Sequence, residues 1–103
     1  MSTTTKPVPT GMHRITPQLV CKDAKPVMDF LAKALGATPQ HVMPGPDGKG
    51  VMHAAMSIGE ATFFLSDAND FARPTQSNLF VYVDDVDAAF EQAVAAGAKP
   101  VAP

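Results

Sequence analysis

The chain has 103 residues, 46% hydrophobic and 17% charged, with a formal charge of −2 when the histidines are neutral. This is one domain of ordinary globular composition, without the basic surplus that nucleic-acid binding needs and without an apolar run long enough to span a membrane. A single cysteine, Cys21, excludes an intrachain disulfide and suits a reducing cytoplasm, where it reads as a small buried hydrophobe.

Residues 1–12 are rich in Thr and Pro, lack an apolar signal core, and read as a flexible tail. Arg14 to Cys21 reads as a strand, with Ile15, Pro17, Leu19 and Cys21 on one face and Thr16, Gln18 and Val20 on the other. Pro17 cannot donate to a ladder, so this strand belongs at a sheet edge or near its own start. Asp23 reads as the N-cap of a helix with Pro26 in its first turn. Val27, Phe30, Leu31, Ala34 and Leu35 form its apolar stripe, and Gly36 ends it.

Thr38 to Met43 returns as a strand. Pro44-Gly45-Pro46-Asp47-Gly48-Lys49-Gly50 is a hairpin connection, because proline presets φ, Asp bonds its own backbone and glycine accepts positive φ. Val51 to Ile58 then alternates, with Met52, Ala54, Met56 and Ile58 facing the helix and Val51, His53, Ala55 and Ser57 opposite. Gly59-Glu60 is a short turn, and Ala61 to Ser66 is a buried strand. Residues 67–77 form a polar linker. Asn78 to Asp84 alternates as a strand, Asp85 caps a second helix striped by Val86, Ala89, Phe90, Ala93 and Val94, and Gly97 ends it before a strand starting at Lys99.

Strand, Asp cap, helix and Gly-Ala therefore recur, from Val20–Ala37 to Tyr82–Ala98. The natural completion is an α+β fold of paired β-α-β-β-β modules. Residues 13–66 make the first module and residues 78–103 begin a second that is incomplete by two strands. Either the chain is a fragment or something else covers that edge.

With these residues the chain resembles the vicinal oxygen chelate superfamily of glyoxalases, bleomycin-resistance proteins and dioxygenases. The match lies in Lys22-Asp23-Ala24, Leu35-Gly36-Ala37, Met43-Pro44-Gly45-Pro46-Asp47-Gly48-Lys49, Val51-Met52-His53-Ala54, Ile58-Gly59-Glu60, Leu65-Ser66-Asp67 and Val81-Tyr82-Val83-Asp84-Asp85-Val86-Asp87. The Met-Pro-Gly-Pro-Asp-Gly and Met-His-Ala blocks resemble the PhnB-like branch most specifically. The resemblance implies two modules that close a pocket between curled sheets, and commonly a homodimer. It also implies metal-ligand positions, which fall on Thr16, Phe64 and Asn78, with a fourth on a strand that this sequence does not contain. Divalent metals need imidazole, carboxylate or thiolate donors. Phe64 has no donor at all, so no metal or other cofactor is expected.

The candidate site is therefore a ligand pocket. His53 faces it, either as a ligand-contacting acid or base or as a hydrogen-bonded structural histidine. Branch members usually carry Glu two places after this histidine, and here that place is Ala55, which weakens the catalytic reading. Phe64, Phe80 and Tyr82 share the pocket face in this register, as ring contacts or as core filling. Gln18 and Asn78 supply orienting hydrogen bonds or are ordinary polar positions. His13 and His41 read as surface or edge residues. No dinucleotide fingerprint, phosphate loop or nucleophile elbow is present. The leading expectation is a pocket protein for a small apolar or aromatic molecule. The alternatives are a metal-dependent lyase or dioxygenase completed by a further segment or partner chain, and a truncated dimerisation module.

Overall fold

A computed structural model describes residues 7–101. The element order is β1 (Gln18–Cys21), α1 (Ala24–Leu35), β2 (Thr38–Met43), β3 (His53–Ile58), β4 (Ala61–Asp67) and α2 (Val86–Ala95). The strands form one mixed sheet in the order β1-β4-β3-β2, with β1 and β4 parallel and the other pairs antiparallel. This is the first β-α-β-β-β module expected from the sequence. β1 lies at an edge and starts directly after Pro17, whose carbonyl accepts the Phe64 N–H at 2.8 Å.

The apolar periodicity decides which sheet face α1 covers. Ala24, Met28 and Leu31 from α1 pack with Ala54, Met56, Phe63 and Leu65 from β3 and β4, and Leu65 and Met56 are fully buried. Val27, Phe30 and Leu35 flank this core from the helix, and Leu19 and Cys21 flank it from β1. Gly36, at φ 69°, ends α1 by letting the Ala37 N–H reach the Leu31 carbonyl. The long hairpin turn is held by the Lys49 N–H on Asp47 Oδ1 at 2.9 Å and by Gly48 at φ 77°. Both features follow from Asp-Gly in a turn.

Asp23 has the extended backbone of an N-cap, but its side chain makes no capping bond. The cap comes from Asp67 at the end of β4, whose Oδ1 accepts the Ala24 N–H at 2.7 Å. Asp67 Oδ2 accepts the Val51 N–H at 2.8 Å, and the Asp67 N–H in turn reaches the Val51 carbonyl at 2.9 Å. One side chain thus ties the helix start to the entry of β3. A local spacing rule finds Asp23 and misses a cap that comes from far along the chain.

The second half departs from expectation. Asn78–Asp84 alternates as a strand does, but no strand among the described residues pairs with it. Alternation prepares two faces, whereas a strand needs a neighbour's hydrogen bonds, and none is offered here. Phe80 is 94% exposed and Tyr82 99%. α2 does form, with Asp85 Oδ1 accepting the Ala88 N–H at 3.0 Å and Gly97 closing its end. Its stripe is not buried, however, and Val86, Phe90 and Val94 all stay exposed. The sheet that this stripe would cover has no strands among the described residues. α2 leans on α1 instead, where Gln92 Nε2 donates to the Lys33 carbonyl at 2.8 Å. Lys99–Val101 is irregular, while residues 1–6 of the predicted tail and residues 102–103 lie outside the described residues. Among the described residues no helix is long and apolar enough to cross a membrane.

Candidate functional site

α1 covers one face of the sheet, and the other face is open. Strand alternation and register place its side chains in rows. One row runs Gln18, Phe64, Ala55, His41 across β1, β4, β3 and β2. The next, toward the Gly59-Glu60 turn, runs Thr62, Ser57, Thr38. On the other side His53 stands opposite Met43.

A bulge shapes this face. The β2–β3 register shifts between Pro39 and His41, leaving Gln40 as the extra residue. Gln40 Nε2 donates to Ser57 Oγ at 2.9 Å and to Thr38 Oγ1 at 3.2 Å, and the two hydroxyls lie 3.1 Å apart. Bulges re-aim side chains in this way. A groove of about 680 Å³ lies over this end of the sheet, walled by Gln40, Ser57, Glu60, Thr62 and the 10–13 segment. That segment turns back through the Met12 N–H on the Pro9 carbonyl at 3.0 Å, and His13 Nε2 lies 3.4 Å from the Glu60 carbonyl.

The aromatic part of the face is beside it. The His53 and Phe64 rings meet edge to face with centroids 4.7 Å apart, and the His41 centroid lies 6.5 Å from that of His53. Gln18 Nε2 donates to Ser66 Oγ at 3.1 Å. Three of the predicted site residues, Gln18, His53 and Phe64, therefore share one face.

The other three do not join them. Asn78, Phe80 and Tyr82 sit on the extended segment, off the sheet. Phe80 and Tyr82 line a separate cleft of about 380 Å³ with Ile15, Pro17, Phe63 and Leu79. The expectation that Phe64, Phe80 and Tyr82 share one face rested on a strand that has no ladder here. Sequence reasoning placed Ser57 on the same face as His53, but set His41 aside as an edge residue and passed over Gln40 and Thr62. The bulge that turns Gln40 onto the face has no local sequence signal beyond Pro39.

The positions that the resemblance marks for metal do not fit one. Thr16 precedes β1, Phe64 packs its ring on His53, and Asn78 lies on the exposed segment. These offer one hydroxyl and one amide where imidazole or carboxylate is needed. Among the described residues no three His, Cys, Asp or Glu side chains come together as a metal site. Cys21 is no ready nucleophile either, because burial and then the nearby Asp67 charge push its thiol pKa up.

Comparison with known proteins supplies the wider context. The profile of the Glyoxalase/Bleomycin resistance protein/Dioxygenase superfamily matches residues 11–103. The chain is 37% identical over 98 residues to the protein Mb0911c of Mycobacterium bovis, covering 84% of this chain and 64% of that protein. The same identity holds against Rv0887c of Mycobacterium tuberculosis, with 57% of that protein covered. The chain thus spans about three-fifths of the length of these relatives. A gene product of Arabidopsis thaliana, AT5G48480, superposes with a TM-score of 0.70 at 19% identity, over 89% of this chain and 79% of that one. TioX from Micromonospora sp. ML1 superposes with a TM-score of 0.60 at 22% identity, over 88% and 75%. At those identities the structural likeness speaks for the fold alone. The family match over residues 11–103 settles membership: this chain belongs to the Glyoxalase/Bleomycin resistance protein/Dioxygenase superfamily.

Proposed function

We propose that this is a cytoplasmic, homodimeric small-molecule-binding protein of the PhnB-like branch, whose ligand lies on the open sheet face without a metal ion. The observation that carries this reading is the row Gln18, Phe64, Ala55, His41 beside the His53–Phe64 ring contact of 4.7 Å. A small residue between two rings, with hydrogen-bonding groups at either side, is what a flat apolar ligand needs. The adjoining groove of about 680 Å³ is large enough for such a ligand. The Phe80–Tyr82 cleft borders the same groove through His13 and Thr62, so a longer ligand reaches those rings as well. The branch assignment rests on the Met43–Gly48 and Met52–Ala54 blocks.

The test is titration of the full chain with a neutral flat probe, 2-naphthamide, followed by amide chemical shifts. Shifts gathered on Gln18, His53, Ala55 and Phe64 are expected. Absence of binding, or shifts away from the open face, would overturn the reading. Elemental analysis of protein purified without chelator is expected to find no stoichiometric Zn, Ni, Mn or Fe. One tightly held metal per chain would favour a metal-dependent lyase or dioxygenase instead.

A further inference from the structure

The open face has a charge pattern that its apolar rings conceal. The strand residues that point onto it are Gln18 and Val20 from β1, Thr38, His41 and Met43 from β2, His53, Ala55 and Ser57 from β3, and Thr62, Phe64 and Ser66 from β4. The bulge adds Gln40. None of these is Asp or Glu, although the chain as a whole is acidic. The groups that can take a charge here are the two imidazoles, His41 and His53.

We propose that the face selects a planar aromatic carboxylate, with its ring over Ala55 and its carboxylate on His41 and His53. This rests on the pocket reading given above and names the ligand class for it. Ala55 has the smallest side chain of its row, between Phe64 on one strand and His41 on the other. A ring laid there meets Phe64. Phe64 in turn holds His53 edge to face, at a centroid distance of 4.7 Å. The His41 and His53 centroids are 6.5 Å apart. Two imidazoles at that separation can donate to one carboxylate oxygen, each across about 2.8 Å.

The surroundings leave this pair as the charge-bearing feature. β4 contributes Thr62, Phe64 and Ser66, and β1 contributes Gln18 and Val20, none of which titrates near neutrality. His13 and Glu60 stand at the far rim beyond Ser57. Asp47 and Lys49 lie in the β2–β3 turn past Met43. α1 and its charges are on the other side of the sheet. A protonated imidazole attracts a carboxylate and not a neutral amide, so an anionic ligand should bind more tightly as pH falls while a neutral one of the same shape should not.

The experiment compares 2-naphthoate with 2-naphthamide on the full chain at about pH 5.5 and about pH 8, by calorimetry and amide shifts. The expected result is naphthoate affinity at least about tenfold higher at the lower pH, from a charge-assisted contact, with naphthamide affinity unchanged between them. His41→Gln and His53→Gln should each remove most of that pH dependence, and retained amide dispersion confirms that both variants fold. Ala55→Phe should abolish naphthoate binding. Equal pH profiles for the two probes, or a naphthoate profile that survives both histidine substitutions, overturns the carboxylate assignment and leaves the pocket reading standing through naphthamide. Failure of both probes to bind overturns the two together.

Discussion

Asp67 shows how much one residue can hold. Its carboxylate accepts the Ala24 N–H at 2.7 Å and the Val51 N–H at 2.8 Å, joining the start of α1 to the start of β3. Bonds from backbone donors to a charged acceptor contribute about 1.5–3 kcal/mol each. Asp67→Ala should therefore lower stability by roughly 3 kcal/mol, read as a shift in the urea midpoint. Asp67→Asn keeps one acceptor oxygen and should cost about half as much. Gly50 belongs to the same clamp, since it lies at φ 69° and an added Cβ would collide with Asp67 Oδ2. Gly50→Ala should thus be less damaging in the Asp67→Ala background than alone, a coupling that a double-mutant cycle measures. This clamp was not legible in the sequence. Asp23 has the right spacing from the helix, and only the fold brings Asp67 to it. Cys21, read from the sequence as a small buried hydrophobe, is half-buried and flanks the core. Burial raises its thiol pKa first, and the Asp67 charge adds to this. The unfolded chain loses that proton at about pH 8.5, while the folded chain keeps it to higher pH. The thiol's contribution to stability is thus full below that value and is lost as pH rises through the folded pKa. Iodoacetamide should accordingly label Cys21 in the folded chain more slowly than in urea at mildly alkaline pH.

At the scale of elements, α1 and α2 have the same plan and different fates. Both begin at Asp and have a positive-φ Gly at or just past the end, but α1 buries Ala24, Met28, Leu31 and Ala34 while α2 buries none of its residues. Local signals set where a helix starts and stops, and packing sets how long it stays closed. Amides of Ala89 to Ala95 should therefore exchange with deuterium at least about tenfold faster than those of Met28 to Leu35. Equal protection would mean that α2 is held by more than the Gln92–Lys33 bond at 2.8 Å. The same contrast explains which strands the sequence revealed. β2, β3 and β4 pair with their neighbours in sequence through the Pro-Gly-rich hairpin connection and the short Gly59-Glu60 turn, so alternation and turn chemistry suffice. Asn78–Asp84 has equally good alternation and no partner among the described residues. The candidate site divides along the same line. Gln18, His53 and Phe64 meet because their strands pair, and Phe80 and Tyr82 stand apart because theirs does not.

For the whole molecule the consequence is apolar surface left open. Phe80 is 94% exposed and Tyr82 99%, with Leu79, Val86 and Phe90 exposed near them in sequence. An exposed apolar run of this kind is where the homodimer proposed above would form. Magnitudes decide whether one residue is enough. Burying Phe80 in each of two copies contributes about 3–6 kcal/mol, which reaches only the low end of the association cost of about 4–15 kcal/mol. Phe80 alone therefore leaves little or no surplus, and a stable dimer needs Leu79, Tyr82, Val86 and Phe90 covered with it. A homodimer built on this surface should then be of moderate affinity and sensitive to each large side chain. Sedimentation equilibrium at micromolar concentration is expected to show the dimer. Phe80→Asp and Tyr82→Asp should each raise its dissociation constant at least about tenfold, because burying an unpaired charge adds to the lost apolar area. Both residues lie off the helix-covered core, so both variants should keep the parent's urea midpoint when measured below the dissociation constant. A chain that sediments as a monomer at every concentration, with Phe80 and Tyr82 still solvent-accessible, would overturn this dimer surface.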